Sequence, residues 1–192
     1  MNSITHALKE WAVAIQALEK ANTILLLRKG GIREVGGNFQ VKYKQVLLYP
    51  TYEHQKPHLL KSDYQNQVTP VTSGWHPATV KISSWANITN VFAVSDLATV
   101  KQLSPAHIWQ EEFVTERFNW KPSQPLYLLL LRTYKLAQPE IIPYAQKYGG
   151  CKSWLPLNQS ISLAGSQAVL DNIQYNQRVE VIQEIVESAA KN

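Results

Sequence analysis

The amino-acid sequence predicts a single α+β domain over residues 1–192, built on a mixed or antiparallel sheet with helices near its N-terminus, its middle and its C-terminus. Three observations lead there. At 192 residues and 45% hydrophobic, the chain is long enough for one well-buried core and short for two. Its segments follow an irregular order of helix, strands, long loop, strands, helix, strands, helix, which suits α+β better than the strict alternation of a doubly wound parallel sheet. One segment, "PLYLLLLRTYKL", is apolar nearly throughout and reads as a central strand.

The elements follow in chain order. Residues 4–21 carry Leu8, Trp11, Ile15 and Leu18 three or four apart, a helical stripe with Lys9, Glu10 and Glu19 off it. Ser3 or Thr5 supplies an N-cap hydroxyl. "TILLLR" is a short buried strand ended by Gly30-Gly31, and "RKGGIREVGGNF" is a reversing loop feeding a strand from Phe39 to Tyr43. "QVLLYP" is a further strand, stopped by Pro50, whose ring removes a ladder donor. From Thr51 to about Ala78 the chain has no clear period and carries Pro57, Pro70 and Pro77; loops this long in compact domains are more often functional or mobile than ornamental.

"TVKISSWANITNVFAVSD" shows period-two patches and many β-branched residues, the pattern of a strand pair meeting near Asn87. Ser104-Pro105 opens a helix that runs to about Asn119 and stops near Pro122: a capping hydroxyl, then a proline whose missing donor costs nothing there. Beyond the central strand, "KYGGCKSWLPL" is a turn and another strand. Residues 176–190 close as a helix with Val179, Ile182, Ile185 and Ala189 on one stripe.

Composition bounds the function. A net charge of +5 and a pI near 9.2 favour an anionic partner such as nucleic acid. One cysteine, Cys151, rules out an intramolecular disulfide and a cysteine-based zinc cluster, and fits a reducing compartment. Lys9 and Glu10 interrupt the first apolar pattern, so no signal-peptide core is visible, and "PLYLLLL" is too short to span a bilayer. The expectation is a soluble cytoplasmic protein with no membrane contact and no cofactor.

Candidate sites fall in three places. Arg28, Lys29, Arg33, Lys42 and Lys44 interleave with Phe39, Tyr43 and Tyr49, and such cations and ring faces are the ingredients of a single-strand nucleic-acid surface. The plainer account is a sheet edge whose lysines deter strand pairing. The glycines here match neither the P-loop nor the dinucleotide fingerprint.

The second place is Tyr52-Glu53-His54-Gln55. On an extended backbone Tyr52 and His54 face one way and Glu53 and Gln55 the other, so a direct Glu53–His54 dyad is disfavoured. A polar corner with local backbone partners is the simpler outcome, and it can still line a pocket. His58 lies close enough for a His54, His58 and carboxylate metal set, although no zinc spacing supports one.

The third is "SPAHIWQEEFVTERFNW". On one helix His107 and Glu111 stack four apart, as do Glu112 and Glu116, with Arg117 or Arg132 as cationic partners and Trp109, Phe113 and Trp120 as a core stripe. An ion-paired helix face accounts for the acids more simply than a metal site does. Cys151 follows a glycine pair and precedes Lys152, which can lower a thiol pKa, but a small buried thiol beside a turn is the plainer reading.

The phrases "ALKEWAVAIQAL", "LLLRKGGIRE", "FQVKYKQVLLYPTYEHQ", "HIWQEEFVTERFNWKPSQPLYLLLLRTYKL" and "YGGCKSWLPL" resemble the bacterial family called domain of unknown function 1802, common in cyanobacteria, over residues of about 7–157. That resemblance carries no activity. A weaker likeness, resting on element order and the loop from Gly30 to Glu34, is to the PUA-like superfamily of ASCH and EVE modules. It implies a barrel-like sheet, binding of RNA or modified bases, and a pocket between the first loop and the Tyr52–Gln55 corner.

Taken together, the expectation is a nucleic-acid-associated binding module. Arg28, Lys29 and Arg33 contact phosphate, Tyr52, Glu53, His54 and Gln55 line a pocket, and Arg132 and Glu112 are its charged neighbours. The rival is a hydrolase or nuclease using His54 or His107 as general base with Glu53, Glu111 or Glu112, with or without a metal. A third reading is a structural or partner-binding domain using the aromatic-rich 75–92 region.

Overall fold

The computed structural model describes residues 3–29 and 41–189. In chain order, β1 (Ser3–Trp11) passes directly into α1 (Ala12–Glu19), followed by β2 (Leu25–Arg28) and β3 (Gln45–Thr51). One helical turn, α2 (Ser62–Gln65), interrupts the long irregular stretch before β4 (Thr79–Val94). Then come α3 (Leu97–Gln102), α4 (Glu111–Asn119), β5 (Leu126–Pro143), β6 (Trp154–Ser162), the short β7 (Gln167–Ala168) and α5 (Asn172–Ala189). The strands form one mixed sheet in the order β2-β5-β4-β3-β1-β6, with β7 on β5; β1 and β3 are parallel and the other pairs antiparallel. The architecture is α+β.

Both faces of the sheet are covered. One core lies between strands and helices, with Leu26, Leu48, Ile88 and Leu129 meeting Val13 and Leu18 of α1, Val114 of α4, and Tyr175 and Ile182 of α5. The other is walled almost entirely by strands: Ala7, Leu47, Tyr49, Val80, Ile82, Leu136, Ile142, Leu155 and Ile161, with Tyr148 filling it. That second core is a barrel-like interior, although the path of hydrogen-bonded strands does not close among the described residues.

Several sequence expectations are corrected. The first helix is half strand. Ala7, Leu8, Lys9 and Glu10 are all buried because both faces of β1 are covered, Leu8 in one core, Ala7 in the other and Lys9 and Glu10 at the end of the strand, so the alternation that marks a strand is absent. Helix begins only at Ala12, where the chain leaves the sheet. β3 continues through Pro50 to Thr51, with Pro50 opposite Glu10 on a parallel neighbour. Residues 41–43 are not strand, and the rest of the expected Phe39–Tyr43 strand lies outside the described residues.

The expected strand pair near Asn87 is one 16-residue strand, β4, which bends at irregularities between Ile82 and Ser84 and between Ile88 and Asn90 instead of reversing. The helix expected from Ser104 is broken: residues 104–106 form a single 3-10 turn, His107 is extended, and α4 starts at Glu111. His107 and Glu111 therefore do not stack. The central strand and the closing helix lie where the sequence puts them, both longer than expected.

Candidate functional site

The ends of four elements converge on one cleft of about 340 Å³. The C-terminal end of β1 brings Lys9, Glu10 and Trp11, and the end of β2 brings Arg28 and Lys29. The corner after β3 brings Thr51, Glu53 and His54, and the last turn of α4 with the residue after it brings Arg117 and Trp120. Gly150, Cys151, Lys152 and Ser153, leading into β6, complete the wall.

Arg28 organises the floor. It is 8% exposed, its Nη2 lies 2.8 Å from Glu10 Oε2, and it donates to the Lys9 carbonyl at 3.0 Å. Glu10 also accepts from the amide of its neighbour Trp11 at 2.7 Å, so this carboxylate serves both the guanidinium and the backbone where β1 passes into α1. Lys9 is buried beside it, its ammonium donating to the carbonyls of Tyr148 (2.8 Å) and Gly150 (2.9 Å). Burial lowers the Lys9 pKa, while Glu53 and Cys151 act in the opposite sense. Lys29 is likewise pushed down by burial; it donates to the Phe118 carbonyl and sits over the Phe118 ring. Arg117 is pushed below its usual value, first by burial and then by Arg28, with Glu10 offsetting part of the shift.

The corner that follows β3 is not extended. His54 adopts a left-handed backbone (φ +62°) and is exposed at the rim. Glu53 Oε1 accepts from the Gly74 amide at 2.7 Å, which ties the corner to the long loop. Tyr52 turns away from the cleft and meets Trp75 edge-on at 6.0 Å. Gln55 is buried: its Oε1 accepts from the Val13 amide at 3.2 Å, in the open first turn of α1. It is a helix cap in place of a base-reading edge.

The remaining candidates lie elsewhere. Arg132 is bonded to Asn172 and packed against Tyr134 and Tyr175, away from the cleft. Glu112 is exposed on α4, and the ion pair of that helix is Glu111 with Lys101 at 2.6 Å. His107 is 4% exposed; its Nδ1 accepts from the Trp109 amide, and burial, reinforced by Lys61, lowers its pKa to about 4. It packs inside the fold and does not line the cleft. Arg33 lies outside the described residues. Among the described residues, no three His, Cys, Asp or Glu side chains group as metal ligands would.

The expected buried thiol is instead exposed: Cys151 stands on the cleft wall after Gly150, whose φ of +73° suits glycine alone at little cost. Trp120, expected in the core, is 49% exposed at the rim. Lys9, Glu10, Arg117, Lys152 and Trp120 are among the cleft residues that the sequence pattern does not point to. Its spacing puts Lys9 off a helical stripe and Arg117 beside Glu112 and Glu116, and only the strand-to-helix switch at Trp11 and the packing of α4 bring them to the cleft.

Among solved structures, the chain is similar to an ASCH protein from Zymomonas mobilis, at 12% identity over 92% of this chain and 93% of that one, with a TM-score of 0.43. Two point mutants of that protein give 11% and 10% identity, 92% of this chain, 94% and 96% of theirs, and TM-scores of 0.44. Among curated proteins no sequence matches. Residues 7–181 match the family model described as "Domain of unknown function (DUF1802)", reaching into α5, and the chain belongs to that family.

Proposed function

We propose that the protein is a nucleic-acid-associated binding module and that the cleft between β1, β2, the Thr51–His54 corner and α4 is where it holds phosphate. The single observation that carries this reading is the charge of that cleft. Lys9, Arg28, Lys29, Arg117 and Lys152 line it against two carboxylates, Glu10 and Glu53. Glu10 is already engaged by Arg28 and by a backbone amide. The lysines are met by carbonyl oxygens, which solvate an ammonium without neutralising it. Concentrated positive potential in a concave, partly desolvated site attracts phosphate.

Trp120 adds an aromatic face at the rim for a base. Arg28 acts through the floor: its ion pair with Glu10 holds the cleft together, and Lys9, Lys29, Arg117 and Lys152 have no ion-pair partner among the described residues. The hydrolase alternative has less support, because its candidates are divided. His54 and Glu53 line the cleft, whereas His107 is buried elsewhere and Glu112 is exposed on α4. Fluorescence-anisotropy titration with short single- and double-stranded DNA and RNA tests the proposal; salt-sensitive binding lost in Arg117→Gln supports it, and no binding to any of the four polymers overturns it.

A further inference from the structure

We infer that the cleft takes a terminal phosphate monoester, the charged end of a nucleotide or of a strand, in preference to the phosphodiesters along a strand. This deepens the nucleic-acid reading and rests on it.

Shape is the first reason. The floor is buried, with Lys9, Glu10, Arg28 and Lys29 each 9% exposed or less, while His54, Trp120, Cys151 and Lys152 stand exposed around it. The result is a cleft of about 340 Å³ with a buried floor, at the small end of ligand pockets and on the scale of one nucleotide. A volume of that size seats one nucleotide, which suits a strand end.

Charge is the second. Arg117 lines the cleft without an ion-pair partner among the described residues, and its Nε and that of Arg28 are both buried without a hydrogen-bond partner there. Two guanidiniums near each other, sharing one nearby carboxylate, leave positive charge that burial makes expensive. A phosphodiester brings one negative charge. A phosphate monoester at neutral pH brings about −1.5 to −2 and three strong acceptor oxygens, and so matches the surplus better. The third reason is the rim: Trp120 stands half exposed beside the cleft, with Lys121 over its ring, where the base next to an end phosphate can stack.

The test uses the full chain and three single strands of one sequence, about ten nucleotides long, bearing a 5′-phosphate, a 3′-phosphate or hydroxyls at both ends, each with an internal fluorophore. One phosphorylated strand should bind at least about tenfold more tightly than the hydroxyl-ended one, the worth of one or two charge-assisted contacts. The matching nucleoside monophosphate should compete with it. Arg117→Gln should remove the preference, and the surface change Lys152→Gln should weaken it in a variant whose folding is not in question. Equal affinity for the three strands overturns the inference and leaves the nucleic-acid reading standing. A preference that survives in both variants also overturns it, because the end is then read elsewhere. Binding of none of the three overturns the inference, and the titration with all four polymers then decides the nucleic-acid reading.

Discussion

Arg28 and Glu10 meet through a 2.8 Å ion pair although three strands, β5, β4 and β3, lie between their own strands, β2 and β1, in the sheet order. Only a curled sheet allows this. The same guanidinium donates to the Lys9 carbonyl, so one side chain ties the edge strand to the strand that forms the cleft floor. Both side chains are about 10% exposed, so the pair is largely desolvated. Removing one partner leaves the other charge buried: Glu10→Gln and Arg28→Ala should each cost about 3–5 kcal/mol in urea denaturation. The double change Glu10→Gln with Arg28→Ala should cost clearly less than the sum. Strictly additive losses would show that the pair is not coupled.

Gln55 should matter to folding and not to ligand. Its Oε1 accepts from Val13 in the first turn of α1, a turn whose N-cap residue, Trp11, offers no side-chain acceptor. Gln55→Ala should lower stability by about 1 kcal/mol, read by urea denaturation, with unchanged affinity for nucleic acid. A large affinity loss in a stably folded Gln55→Ala would return this residue to the binding edge.

His107 should make stability fall in acid. Its folded-state pKa is lowered from 6.5 to about 4, by burial first and then by Lys61. Below pH ~6.5 the unfolded chain takes up this proton while the folded chain refuses it, so the stabilisation present at neutral pH is lost between pH ~6.5 and pH ~4 and amounts to ~3 kcal/mol. Against His107→Gln, which cannot titrate, the wild type should lose relative stability over that window in denaturation curves taken at several pH values. Parallel curves would contradict the assignment.

Much of the fold was legible in the residues. The apolar run in β5 and the stripe of α5 gave those elements directly, because one is buried nearly throughout its first half and the other on one side only. What misled was burial on both faces. In β1 the residues Ala7 to Glu10 face two cores or the cleft floor, so a spacing set by the sandwich imitates a helical stripe. The site was legible in part for the same reason. Arg28, Lys29, Glu53 and His54, which line the cleft, stand out by local cues, a strand end beside glycines and a polar corner. Arg117 and Lys152 enter the cleft through contacts far apart in sequence, which no local pattern encodes.

Cys151 provides a footprint of occupancy. It is exposed on the cleft wall, so iodoacetamide should alkylate it readily in the free protein. A saturating oligonucleotide that binds wild-type protein should slow that reaction severalfold. An unchanged rate with bound oligonucleotide would place the ligand outside the cleft.

The most direct measurement of the central claim is anisotropy with single- and double-stranded DNA and RNA at about 50 mM and about 200 mM salt. It compares wild type with Arg117→Gln, Lys152→Gln and Arg132→Gln, the last removing a cation remote from the cleft. Binding to at least one polymer should weaken with salt, fall in Arg117→Gln and Lys152→Gln, and persist in Arg132→Gln. Equal loss in all three variants would mean diffuse attraction to a basic protein, and no binding would mean that the cleft serves a ligand other than nucleic acid; either result contradicts the account.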